Sequence, residues 1–200
     1  MTQEKNIDRI IQTIEDIPTL PVISTQILRL FKNENITVQQ VEDLIEKDPP
    51  LASKILKLVN SSFYGLLNKV STIEHALIIL GFNEVRSVAL GFAIQNHFRS
   101  HSNSFDPMRF WKHSIICSQI AKYLTKYFNL VDDGTFFLAG LIHDIGKLVI
   151  DQYFPDDFKA ITAYISANRC TFSKAEKDLL GVTHYQIAAK LLRQWNFPEK

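Results

Sequence analysis

Isoleucines at positions 7, 10, 11, 14 and 17 return to one side of a 3.6-residue helix, and Pro18 closes that run. The same period continues almost to the end of the chain. It predicts helices over 22–31, 38–47, from Pro49-Pro50 to Val59, and over 72–80, 83–97, 107–127, 133–145, 156–168, 174–180 and 184–195. Start signals accompany most of them: Thr37, Asp48 before its two prolines, Ser71, Asp132-Asp133, a capping box at Ser173–Glu176, and Thr183 or Gly181. Val41, Leu44 and Ile45, then Leu51, Ile55, Leu58 and Val59, mark buried stripes. No stretch alternates with a period of two, so the expected fold class is all-α. The polar, turn-rich passage His97–Pro107 divides the chain into two helical halves, 1–100 and 101–200, read as one packed unit.

Composition supports this picture. The 7 glycines and 7 prolines are few for 200 residues, which favours long elements over many turns. A hydrophobic share of 46% argues for a packed core and against disorder. The net charge is +1, with neither half strongly basic, so nonspecific nucleic-acid binding is not expected. The longest apolar run, Phe136–Ile142, is too short to span a bilayer, and the polar amphipathic start lacks a signal-peptide pattern. The chain reads as cytoplasmic, with no membrane partner. Cys117 and Cys170 form no CxxC, which leaves neither a disulfide framework nor a thiolate zinc knuckle.

The candidate chemistry starts at FFLAGLIHDIGK, residues 136–147. Its first seven residues are apolar or glycine on every side, which predicts a buried helix with His143 and Asp144 at its end. A carboxylate and an imidazole placed there need a metal, a mutual hydrogen-bond network or a solvent-filled cleft. Lys147 could neutralise Asp144 or hold an anion. His113 continues a face marked by Ile116, Ile120 and Leu124, and His184 precedes a buried face of Ile187, Ala188, Leu191 and Leu192. Three histidines and one aspartate thus point toward a core from separate helices. A single histidine on an apolar face is ordinarily a hydrogen-bonded core residue; the convergence favours a divalent metal, and imidazole with carboxylate suits zinc, iron, manganese or nickel rather than calcium. Asp151 and Asp156-Asp157 read as structural, the latter as a helix cap. Asn60, Ser61, Ser62 and Tyr64 read as a helix C-terminus or a recognition surface, and Trp111 and Trp195 as core aromatics. His75 and His97 have no partner suggested by spacing.

The blocks TLPVISTQILRLF, DPPLASKILKLVNSSFYG, VSTIEHALIILGFNEVRSVALG, FWKHSIICSQIA, FLAGLIHDIGKLVI and GVTHYQIAAKLLRQWNFPE follow in this order. In order and spacing they resemble the HDOD family, the HD-related output domains, over about residues 15–199. These are relatives of the HD phosphohydrolases and the HD-GYP cyclic-dinucleotide phosphodiesterases. The DPxLxxKxLxLxNSxxYG block is the more specific signal, because HDxGK is shared across the superfamily. The resemblance implies an HD-like multi-helix bundle with an N-terminal helical half. It aligns His113 with the first metal histidine of the superfamily, His143 and Asp144 with its doublet, and Lys147 with the lysine that contacts phosphate or hydroxide. His184 aligns with a histidine used for a second metal.

The further His-His pair and closing aspartate of the enzymes have no counterpart between His184 and Lys200, so they are either missing or belong to chain beyond residue 200. Family members often lack the full ligand set and act as regulatory or scaffolding domains. The expectation is therefore a non-catalytic signalling module that binds a signalling protein or domain, or a nucleotide, around a relic metal pocket. The competing expectation is a metal-dependent phosphohydrolase with Lys147 as its catalytic cation.

Overall fold

The structure is a computed structural model describing residues 10, 12–13, 17, 20, 22–31, 37–61, 64–98, 105–131 and 134–197. The expected helix over 7–17 with its Pro18 end, the Asp132-Asp133 cap, Ser62 and the side chain of His97 fall outside the described residues. Those residues hold eleven α-helices and no strand, so the all-α expectation is met. None of these helices is both long and apolar enough to cross a membrane alone. Contacts group the chain into two units, one of residues 20–97 and 116–141, the other of 1–19, 98–115 and 142–200. Residues 116–141 thus join the first unit rather than following the division at residue 100.

In the first unit, α1 (Val22–Phe31), α2 (Val38–Glu46), α3 (Pro49–Val59), α4 (Ile73–Leu80) and α5 (Phe82–His97) pack on one another. Each start has a local cause. The Thr37 side chain accepts from Gln40 N, the Gln40 side chain accepts from Thr37 N, and Asp48 accepts from Leu51 N at 3.0 Å. At α4 the cap is Thr72, one residue past the expected Ser71, because its hydroxyl reaches the His75 amide. Leu51, Ile55 and Val59 are wholly buried, as are Val85, Leu90 and Ile94. Asn60 ends α3 by donating to the carbonyls of Leu56 and Val70 and accepting from Val70 N at 2.7 Å. This is the structural role of a helix C-terminus.

Two further helices complete this unit, the second half of α6 (Pro107–Tyr127) and most of α7 (Thr135–Ile142). Here the periodicity misleads. Ile116, Ile120 and Leu124, read as a core face, are exposed, and the side buried instead carries Ser114, Ser118 and Thr125. At one point the reason is close approach: a Cβ at Gly140 would collide with the backbone of Ser118, so a small residue is needed at that crossing. Phe136 is also exposed at 40%, so the run 136–142 is not buried all round.

Tyr64 donates its hydroxyl to Glu84 Oε1 at 2.8 Å. Burial pushes its phenol up to about 12, although the hydrogen bond from Gln119 works the other way. The fold therefore favours the neutral phenol. Its contribution is complete below pH ~10, the unfolded value, and falls as pH rises toward 12. A loss of at most about 2 kcal/mol is expected across that window. Urea unfolding between pH 9 and 11.5 measures it, and a Tyr64→Phe variant with an equally steep decline would sink the assignment.

The second unit holds the start of α6, then α8 (Ile145–Tyr153), α9 (Pro155–Asn168), α10 (Phe172–Leu179) and α11 (His184–Gln194). Helix α8 packs against α9 and α11, and α9 against α10. Their core includes Trp111, Ile145, Val149, Phe158, Ile161, Leu191 and Trp195. The helix expected over 133–145 ends at Ile142, and a helix not expected from the sequence, α8, follows it: His143 and Asp144 form the turn between them, with Asp144 at the start of α8. The capping box expected at Ser173–Glu176 is replaced by Thr171, whose hydroxyl accepts from Lys174 N. Glu176 is thereby released for another partner.

Candidate functional site

The turn that breaks α7 from α8 places Asp144 inside the second unit at 4% exposure. Oxygen Oδ2 of Asp144 is approached by His143 Nε2 at 3.4 Å, His113 Nε2 at 3.7 Å and Lys147 Nζ at 2.5 Å. Oxygen Oδ1 faces His184 Nε2 at 3.1 Å. The structure thus brings together His113, His143, Asp144, Lys147 and His184, from the first half of α6, the 143–144 turn, α8 and the start of α11. His184 comes from its helix start because Thr183 caps α11, with the Gln186 side chain accepting from Thr183 N at 3.0 Å. His113 and His143 are on the open side, with side chains 54% and 39% exposed. His113 does not line a core as its helical face suggested; it lies at the mouth of the cluster.

Two residues complete the site that the pattern of apolar positions did not reveal. Glu176 is wholly buried on α10, and its Oε2 accepts from His184 Nδ1 at 2.7 Å. Its other oxygen, Oε1, has no hydrogen-bond donor among the described residues. In the sequence Glu176 reads as the closing member of a capping box begun at Ser173. Gly146 is the second. Its neighbours in α8 pack so closely on α11 that a Cβ there would fall on the carbonyl of His184. The detectable signal was a glycine inside a helical pattern. Phe172 adds a wall, with Lys147 Nζ 5.2 Å from its ring centroid and the His184 ring edge-on to it.

Both ring nitrogens of His184 face carboxylate oxygens, and carboxylates only accept. A proton or a cation must therefore stand between Nε2 and Asp144. Burial opposes the imidazolium, but the bonds to Asp144 and Glu176 outweigh it and raise the His184 pKa. Burial would likewise raise the Asp144 carboxyl, but the contacts with His143, His184 and Lys147 hold it well below the usual carboxylate range.

Some of the separations, taken pair by pair and to different oxygens of Asp144, match the spacing of two ligands on one divalent ion. Ligand atoms ~2.1 Å from an ion at tetrahedral or octahedral angles stand roughly 3.0–3.4 Å apart. The 3.1 and 3.4 Å separations fall within that spread and 3.7 Å lies just outside it. Glu176 on Nδ1 supplies the outer hydrogen bond that fixes a ligating histidine's tautomer. Among the described residues, the three ligand atoms that lie within 4.8 Å of one another belong to His113, Cys117 and His143; Asp144 and His184 adjoin that group, and Lys147 is paired with Oδ2 of Asp144. Asp151 is buried on α8, Asp156 pairs with Lys159 at 3.4 Å in the first turn of α9, and His75 is exposed on α4.

Comparison with known proteins places this arrangement. The family model described as HDOD domain matches residues 17–200. An uncharacterized protein of Treponema pallidum is 26% identical over 193 residues, covering 93% of this chain and 36% of its own length. The uncharacterized protein YuxH of Bacillus subtilis is 26% identical over 125 residues, 62% of this chain and 30% of its own. The chain therefore spans about a third of the curated relatives it matches. Among solved structures, an HDOD domain protein of unknown function from Geobacter sulfurreducens superposes with a TM-score of 0.81 at 24% identity, over 96% of this chain and 67% of that one. A candidate signal transduction protein from Marinobacter aquaeolei VT8 gives 0.80 at 28% identity, over 98% and 47%. A candidate phosphohydrolase from Shewanella amazonensis SB2B gives 0.79 at 28%, over 94% and 67%.

Proposed function

The chain belongs to the HDOD domain family, and from that premise we propose that it is a regulatory signalling module rather than a hydrolase. It acts by binding a signalling protein, or another domain, over the open side of the histidine–aspartate cluster. The observation that carries this reading is the saturation of Asp144. One carboxylate serves three imidazoles and the Lys147 ammonium, and Lys147 at 2.5 Å takes the oxygen that His113 and His143 also approach. A hydrolytic centre would need that carboxylate, together with an open coordination position for water. Four protein ligands close a tetrahedral site, as for zinc, and leave no such position, whereas a six-coordinate ion would keep two. The likeness to the Marinobacter signal transduction protein supports the same reading.

A metal bound here supplies Lewis acidity. His113, His143, Asp144 and His184 would hold it, Glu176 would orient His184, and Lys147 would turn toward an anion on the open side. That is the hydrolase reading, favoured by the likeness to the Shewanella protein and by the exposure of His113 and His143.

Elemental analysis of untagged protein purified without chelator, followed by phosphodiesterase and phosphatase assays with manganese or iron, separates the two. No turnover of cyclic dinucleotides or nucleoside phosphates is expected. Turnover that disappears in Asp144→Ala would establish the hydrolase instead.

A further inference from the structure

A cavity of about 410 Å³ opens in the first unit, and none of its lining residues belongs to the histidine–aspartate cluster. Its polar wall is built by Tyr64, from the segment between α3 and α4, by Glu84 on α5, and by Gln119, Lys122, Tyr123 and Lys126 on α6. The four α6 positions fall at i, i+3, i+4 and i+7, so one helical face supplies them all. Leu66, Ile79 and Leu80 form the apolar part.

Glu84 is 4% exposed, and its charge is fully met. Tyr64 and Gln119 donate to Oε1 at 2.8 and 3.0 Å, and Lys122 pairs with Oε2. Such an ion pair adds little stability over apolar residues of the same volume. It is not sealed in packing either: Glu84 and Lys122 also wall a second cavity of about 260 Å³, next to Gly81 and Gly134. The pair thus stands as a partition between two spaces, and Glu84 orients Tyr64, Gln119 and Lys122 at the edge of the larger one. One turn on, Lys126 has no acidic partner among the described residues. Two ammonium groups against one carboxylate give the cavity a positive balance. Tyr64 and Tyr123 offer ring faces, and Tyr123 is 67% exposed at the rim.

We propose that this cavity binds a phosphate monoester carrying a flat ring, of about mononucleotide size. The volume lies in the range of small-molecule sites. A phosphate monoester carries close to two negative charges at neutral pH; Lys126 meets it directly, and Lys122, already paired with Glu84, offers its remaining N–H donors one turn away. The ring lies against the tyrosines and the aliphatic side chains.

The test is a titration with adenosine monophosphate and guanosine monophosphate, with adenosine and inorganic phosphate as the two halves, followed through backbone amide NMR signals. Either nucleotide saturably shifts the amides of Tyr64, Gln119 and Lys122 and binds more tightly than either half. Lys126→Ala weakens binding about tenfold, and Lys126→Ala/Tyr123→Ala removes it. Both side chains are exposed, so far-UV circular dichroism stays unchanged. The proposal is overturned by no saturable shift with either nucleotide, by shifts confined to His143–Lys147, or by undiminished binding in the double variant.

Discussion

Alanine at position 146 destabilises the protein by about 3 kcal/mol and pulls His184 off Asp144. Elsewhere in a helix the sign would be opposite, because Gly→Ala gains roughly 1 kcal/mol of helix propensity. Gly146 lies within α8 and its φ is ordinary, so conformational freedom is not why glycine stands there. Space is the reason. The added Cβ meets the carbonyl oxygen and carbon of His184, which are backbone atoms and cannot swing aside. Helices α8 and α11 must separate, and the bonds of His184 to Glu176 and Asp144 lengthen with them. Urea unfolding gives the stability, and the His184 imidazole resonances report the displacement. A Gly146→Ala protein that is as stable as the parent, with unmoved His184 signals, would refute the close contact.

Removing the carboxylate is the second large perturbation. Asp144→Ala costs about 3 kcal/mol at pH 7, because the side chains it joins lose their shared counter-charge inside the protein. His184 suffers most, being buried and left with Glu176 alone. Lys147 and His143 are partly exposed and recover some solvation, which keeps the cost below that of a fully buried pair. The His184 pKa moves down, since one of the two carboxylates raising it is gone. Any metal retained by the parent protein is lost as well. The unfolding midpoint and an imidazole titration measure these effects, and an unshifted His184 titration would show that Asp144 does not govern the cluster.

The two variants separate two contributions to the site. Gly146 controls whether α11 comes near enough, and Asp144 whether anything holds the cluster together once it does. A Gly146→Ala protein should therefore retain the contact between Lys147 and Asp144 while losing that of His184.

Much of this was legible in the sequence, for a local reason. Helix period, caps and proline positions act within a few residues, so α1, α2 and α3 begin and end close to where Thr37, Asp48-Pro49 and Asn60 direct. His143, Asp144 and Lys147 are neighbours in the chain, and their meeting needed only the turn between α7 and α8. The sequence places His143 and Asp144 at a helix end, but it does not reveal that α8 starts again directly after them, because LVIDQY carries no start signal of its own.

What the tertiary structure alone decided concerns distances between elements remote in sequence. The exposed side of α6 bears Ile116 and Ile120 and its buried side bears Ser114 and Ser118, and at Ser118 the backbone comes so near Gly140 that a larger pair would not fit. Glu176 reads as a capping-box residue until α10 lays it against His184, eight residues on. Tyr64, Glu84 and Lys122 lie 20 and 38 residues apart and have no shared period; only the packing of their segments makes them one network. Periodicity reports which side of a helix prefers burial. It carries no information about which other helix arrives there, or how closely, and that depends on the volumes of the residues at the crossing.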